Sequence, residues 1–255
     1  MRGTVDLSLQ DMLDFTVKIA DRTIAVNVTY PKARKHCAEY VCEETPEFCV
    51  SITQEDIAAE CRLYREERIL EGLPVGNIGN AQLEITALQR KLAEVLFERN
   101  VLVFHGSVVA VDGQAYLFTA KSGTGKSTHT RFWRETFGDR AVMVNDDKPF
   151  LRITEDGVLA YGSPWNGKHK LGNNICVPLK AICILERGEE NQIQAISGQE
   201  ASMMLFQQSN RPMDPRKMPI YMDLIDQLSK KTEFYRMQCN LDPNAAQVAF
   251  DAMSK

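Results

Sequence analysis

The stretch QAYLFTAKSGTGKS, from Gln114 to Ser127, decides how this chain is read. Gln114 to Thr119 has the aromatic and β-branched character of a strand. Ala120-Lys121-Ser122-Gly123-Thr124-Gly125-Lys126-Ser127 follows at once and fits the Walker A pattern, with Ala120 in place of its first glycine. The spacing has a physical reason. Glycine lets successive backbone N–H groups turn inward around phosphate oxygens. A helix beginning at Lys126 adds its positive end. Lys126 offers a point charge to the β and γ phosphates, and Ser127 offers a hydroxyl to magnesium. Alanine at position 120 is a mild change if that position needs no positive φ. With Thr128, these residues form the expected nucleotide-binding set.

Upstream, Val101 to Val111 is rich in β-branched residues. Asp112-Gly113 separates it from the run at Gln114, which is a hairpin signal. Downstream, a helix is expected from Lys126 to about Phe137, then a short apolar strand from Ala141 to Val144. That strand ends in Asn145-Asp146-Asp147. Two adjacent carboxylates at a strand end are costly without a cation to neutralise them. One can hold magnesium and the other can accept the proton of an attacking hydroxyl. A solvated turn is the competing reading.

Further out, Asn80 to Asn100 reads as a helix, with Ile85, Leu88, Leu92, Val95 and Leu96 on one face. Gly72 to Gly79 holds three glycines and a proline and reads as a loop. It suggests a division into an N-terminal α/β region, residues 1–79, and a phosphate-loop domain, residues 80–255. Within the first region, Phe15 to Tyr30 reads as two short strands and Pro31 to His36 as a basic connector. Toward the C-terminus, strands are expected at Phe150 to Thr154, Ala181 to Glu186 and Glu233 to Cys239. Helices are expected at Pro215 to Leu228 and Asn244 to Met253.

Composition sets the frame. The chain has 255 residues, 44% hydrophobic and 25% charged, with a formal net charge of −4. That balance favours neither nucleic acid nor an anionic membrane as a partner. Seven cysteines without CxxC spacing make a poor disulfide framework and a poor zinc site. They suggest reduced thiols and a cytoplasmic protein. No leader peptide and no membrane helix are expected.

With these motifs in place, the region from Val103 to Leu185 resembles the HPr kinase/phosphorylase and phosphoenolpyruvate carboxykinase-like group. The resemblance lies in the order His105-Gly106, hairpin, SGTGKS, Asp146-Asp147. HPr kinases carry a histidine at this place before a loop of the form TGxSGxGKSE, which compares with Thr119 to Thr128. The Asp pair looks like their double-Asp motif. The resemblance implies an α/β fold with α+β character, in which a P-loop core of mixed sheet carries flanking helices. It implies an ATP- and magnesium-dependent kinase in which Asp146 is the base and Asp147 binds metal. His105 would lie beside the acidic pair and tune its proton affinity. A homo-oligomer is also implied, though no interface is legible in the sequence.

This chain departs from the group in two places. Thr128 replaces the usual glutamate. Lys168-His169-Lys170-Leu171-Gly172 stands where HPr kinases carry Glu-Ile-Arg-Gly-Leu-Gly. Both changes weigh against HPr as the substrate. Lys168, His169 and Lys170 can instead clamp a γ-phosphate or an anionic acceptor. The acceptor is then an unidentified hydroxyl, on a small molecule or on a protein serine. The competing readings are a non-catalytic nucleotide-binding module and a plain NTPase.

Overall fold

A computed structural model describes residues 8–70, 72–121 and 123–255. Ser122, one of the expected loop residues, lies outside them. The chain divides into two compact units, residues up to Leu92 and residues from Ala93 onward.

In the first unit, helix α1 (Leu9–Leu13) leads into strands β1 (Asp14–Ile19) and β2 (Arg22–Asn27). These form the expected hairpin, in register from Asp14 opposite Asn27 to Ile19 opposite Arg22. Its turn places Ala20 and Asp21 at positive φ. The expected connector at Pro31 to His36 is instead a short helix, α2 (Lys32–His36). Strands β3 (Val41–Cys42) and β4 (Phe48–Ser51) complete a sheet of order β3-β1-β2-β4, followed by helix α3 (Gln54–Leu70). Val17, Ile24, Val26 and Val50 are buried and form its apolar face.

Helix α4 (Asn80–Leu96) is continuous across the division between the units. The boundary suggested by composition, at Gly79, precedes this helix, whereas the compact units part inside it. The first turns of α4 are tied to the first unit by charge. Fully buried Glu84 accepts hydrogen bonds from the Thr29 N–H at 2.6 Å and the Tyr30 N–H at 2.9 Å. Arg90 pairs with buried Glu60 at 2.8 Å, and Lys91 pairs with Asp56 at 2.7 Å. Buried carboxylates such as Glu84 and Glu60 need such partners.

The second unit is built on a mixed sheet, and the fold class is α/β with helices flanking it. Its strands are β5 (Val101–Val103), β6 (Ser107–Val111), β7 (Gln114–Thr119), β8 (Ala141–Asn145), β9 (Phe150–Ile153), β10 (Val158–Tyr161), β11 (Cys176–Arg187), β12 (Gln192–Ile196) and β13 (Glu233–Cys239). The sheet turns on β11. The first residues of β11 pair antiparallel with β10, and its later residues run parallel between β7 and β13. β6 joins β7 through the expected hairpin, with Asp112 at φ 52° and Gly113 at φ 80°. Both central residues at positive φ match the hand of a two-residue hairpin turn.

Helix α5 (Lys126–Phe137) packs Phe132, Trp133 and Phe137 against Tyr116, Phe118 and Met143 on one face of the sheet. Helix α8 (Ala245–Met253) adds Ala245, Ala246, Ala249 and Met253 to the same cluster. Helices α6 (Gly198–Gln208) and α7 (Met218–Lys231) contribute Leu205, Tyr221, Leu224 and Leu228 to the cluster on the other face. The mostly apolar strands β6 and β7 contribute residues to both clusters and so are covered on both faces.

Candidate functional site

The phosphate loop lies between β7 and α5, the strand–loop–helix setting its motif requires. Gly123 has φ 75° and Gly125 has φ 120°, conformations that L side chains rarely adopt. Ala120 is fully buried and is not among the positive-φ residues, so its side chain is accommodated without strain. The Lys126 Nζ donates to the Ala120 carbonyl at 3.2 Å, which folds the lysine back across the loop. Burial depresses the affinity of this ammonium for its proton, and so does Lys148, while Asp147 opposes the shift. Arg187, the last residue of β11, donates through Nη2 to the Gly123 carbonyl at 2.8 Å. The loop is thus anchored to the neighbouring parallel strand.

The acidic pair follows β8. Asn145 is fully buried and organises the turn. Its Oδ1 accepts from the Asp147 N–H at 2.9 Å and the Lys148 N–H at 2.7 Å. Its amide donates to Ser163 Oγ and to Asn166 Oδ1, each at 3.1 Å. A side chain that fills both roles fixes the strand end against the loop at residues 163–166. The Gly167 N–H donates to Asp146 Oδ1 at 2.6 Å. A Cβ at Gly167 would stand 3.0 Å from Asp146 Oδ2, so glycine permits this close approach.

Asp147 lies beside His105, with Nε2 to Oδ1 at 3.6 Å. Burial raises the Asp147 carboxyl above the usual range. Lys148 and Lys126 pull it back, and Asp146 adds to the rise. Burial, with Lys148 and Lys126, lowers His105 to about 4, so its imidazole is neutral at physiological pH. His105 sits in the link between β5 and β6. There its N–H donates to the Gln208 carbonyl, and its carbonyl accepts from Thr119 Oγ1 at 3.0 Å. The next N–H, of Gly106, donates to the Asp147 carbonyl at 3.0 Å. His105, the start of the phosphate loop and the acidic pair are therefore joined by direct bonds.

Of the basic segment, His169 lines a cavity with Asp146, Ser127 and Thr128. Lys168 and Lys170 are exposed. Trp165 is buried and stacked on Phe150, ring centroids 6.0 Å apart and planes 5° from parallel. It is a packing residue and offers no face to a base. Three charged residues escaped the sequence reading. Lys148 acts on His105, Lys126 and Asp147 and stands directly after the acidic pair. Arg131 and Arg134, on α5 at helical spacing from Ser127, line the same cavity as Asp146.

A larger cavity, of about 510 Å³, opens at the carboxyl ends of the parallel strands β7, β11 and β13. Gly123, Gly125 and Thr128 line it from the loop and α5, with Phe132, Arg187 and Asn240 around them. Ligands of open α/β sheets bind at this end of the strands. Among the described residues, no three His, Cys, Asp or Glu side chains are grouped to hold a metal ion alone. Magnesium in a nucleotide site needs only one or two protein oxygens beside the phosphates. A serine hydroxyl at Ser127 and a carboxylate of the acidic pair are oxygens of that kind, and Asp146 lines one cavity with Ser127. Among the described residues no helix is long and apolar enough to cross a membrane.

Comparison with known proteins gives three findings. No curated protein matches the chain. The HPr(Ser) kinase/phosphatase of Coxiella burnetii is matched in structure over 59% of this chain and 95% of its own, at 9% identity and a TM-score of 0.36. A likeness at that level carries no argument, so the resemblance to HPr kinases rests on the motifs alone. The family of SynChlorMet cassette protein ScmC matches residues 75–247, from the loop before α4 into α8. That match spans most of the chain, and the protein belongs to the SynChlorMet cassette protein ScmC family.

Proposed function

We propose that this protein is an ATP-dependent kinase that transfers the γ-phosphoryl group to an acceptor hydroxyl. One observation carries the reading. A phosphate-type loop shares a cavity wall with Asp146, a carboxylate held by one oxygen. The Gly167 N–H occupies Oδ1, which leaves Oδ2 for an acceptor proton. The triphosphate lies along the loop, with its nucleoside in the 510 Å³ cavity beside Arg187 and Asn240. Lys126 and the start of α5 stabilise charge on the transferring group. Ser127 and Asp147 would hold magnesium, which when bound neutralises phosphate charge. His105 stands beside Asp147, within reach of its carboxylate.

In the transfer, the acceptor O–H gives its proton to Asp146. The oxygen bonds to the γ-phosphorus, and the bond to the leaving ADP oxygen breaks. A regulatory module needs a nucleotide cradle but no fixed carboxylate beside it, which is why we favour an enzyme. The test is Asp146→Asn. Nucleotide affinity stays, and phosphotransfer falls by at least ~100-fold, the usual scale of a general base. Unchanged turnover in that variant would remove Asp146 from the reaction. Equal phosphate release whatever acceptor is offered would make the protein an NTPase.

A further inference from the structure

Asp146 faces one side of α5 across a cavity of about 300 Å³. Ser127, Arg131 and Arg134 reach into it at successive spacings of four and three residues, which aligns side chains along one helix face. The stripe runs from the phosphate end of α5 over roughly 10 Å, at the usual rise per residue. His169 also lines the cavity. The Arg134 Nε is hidden from solvent and has no hydrogen-bond partner among the described residues. Arg131 lies over the Phe132 ring at 5.2 Å and pairs with Glu135 at 3.7 Å, both side chains 54% exposed, a weak surface pair. Two arginines therefore line this cavity beside a single carboxylate. The excess of positive charge favours an anionic ligand.

We infer that this cavity receives the acceptor, and that the acceptor is a small hydroxy compound carrying a carboxylate or phosphate. Arg131 and Arg134 hold the anion, which guanidinium groups bind in a forked geometry. The hydroxyl lies at Asp146, at the Ser127 end. The inference rests on the kinase reading above and names its substrate class. The volume fits a small molecule. A neutral alcohol would bring no charge to balance the two arginines, so the cavity discriminates by charge. The balance is that of the transfer already given, with ATP as the only co-reactant.

The test is calorimetric titration of the full chain, its loop first saturated with a non-hydrolysable ATP analogue and magnesium so that no probe occupies the phosphate site. The probes are glycerate, glycerol 3-phosphate, neutral glycerol and an acidic serine peptide. Either small anion should bind at least ~10-fold more tightly than glycerol, the scale of a charged hydrogen bond. Arg131→Gln and Arg134→Gln should each weaken that anion by a similar factor and leave the affinity for the ATP analogue unchanged. The arm that binds tells carboxylate from phosphate. The inference is overturned by equal affinity for glycerol, by no binding of either anion, or by Arg→Gln variants that bind anions as the parent does. Tight binding of the peptide alone also overturns it. Failure of the ATP analogue to bind the parent protein counts against the kinase reading instead, because that titration is a separate measurement.

Discussion

Lowering the pH should destabilise the second unit through His129, and His129→Gln should remove that sensitivity. His129 is 3% exposed, in an apolar cluster on α5. Its ring lies 4.5 Å from that of Phe118, and its Nε2 accepts the Trp133 indole N–H at 3.1 Å. A proton on Nε2 would confront that donor with another donor and place a charge in the core. Burial accordingly holds the imidazole down to about 4, against 6.5 for a free histidine. The unfolded chain takes up this proton as pH falls through 6.5, and the folded chain only near 4. The contribution to stability is therefore complete above 6.5 and is lost progressively between 6.5 and 4. From those two values the loss between pH 7 and pH 5 is about 2 kcal/mol. Urea unfolding read by tryptophan fluorescence suits the measurement, since Trp133 and Trp165 are both buried in the second unit. Other groups titrate over the same range, so the informative quantity is the parent's loss minus the variant's. Glutamine itself costs about 1 kcal/mol or more through lost ring packing, a cost shared by both pH values. An equal loss of stability in parent and variant between pH 7 and pH 5 would refute the reasoning.

Lys126→Ala should abolish stabilisation by ATP in a thermal melt while leaving the melting temperature without nucleotide unchanged. An unfolded variant would make Lys126 a structural residue. Gly167→Ala brings a Cβ to 3.0 Å from Asp146 Oδ2, so the carboxylate must shift. Turnover should then fall ~10-fold or more with stability nearly intact, because misplacing a reacting group costs far more rate than fold; full activity would show that this contact does not set the carboxylate. Gly125→Ala forces a side chain onto φ 120°, at a cost of about 1–3 kcal/mol. Calorimetry should show weakened nucleotide binding, and unaltered binding would show the strained geometry to be dispensable.

Much of the second unit was legible because its signals are local. Asp112-Gly113 dictates its own turn, and the glycines at 123 and 125 dictate theirs. The run from Val101 to Val111 reads as one strand by composition but is two. The break at Phe104 to Gly106 comes from distant partners. Phe104 bridges to Ser209, the His105 N–H finds Gln208, and the Gly106 N–H finds Asp147. No property of those three residues announces such bonds. β10 and β12 are short and depend on their neighbours in the sheet. Helix α6 did carry a signal, the capping box of Ser197 and Glu200, within a weakly periodic stretch. At the site, Asp146, Asp147 and His105 stood out by residue type. Arg131 and Arg134 looked like ordinary surface charges until the fold set Asp146 opposite their helix face.

Asn145 has a consequence for which mutations this protein can tolerate. Aspartate has nearly the same shape and is a common replacement for asparagine. At this position it would put three carboxylates in a row at one strand end. It would also turn two acceptors, Ser163 Oγ and Asn166 Oδ1, against a group that can no longer donate to them. Size would be conserved and charge would not. The requirement at position 145 is thus for an uncharged side chain that gives hydrogen bonds on one side and receives them on the other. Very few residues satisfy it, which leaves this position with almost no acceptable neighbours in sequence space.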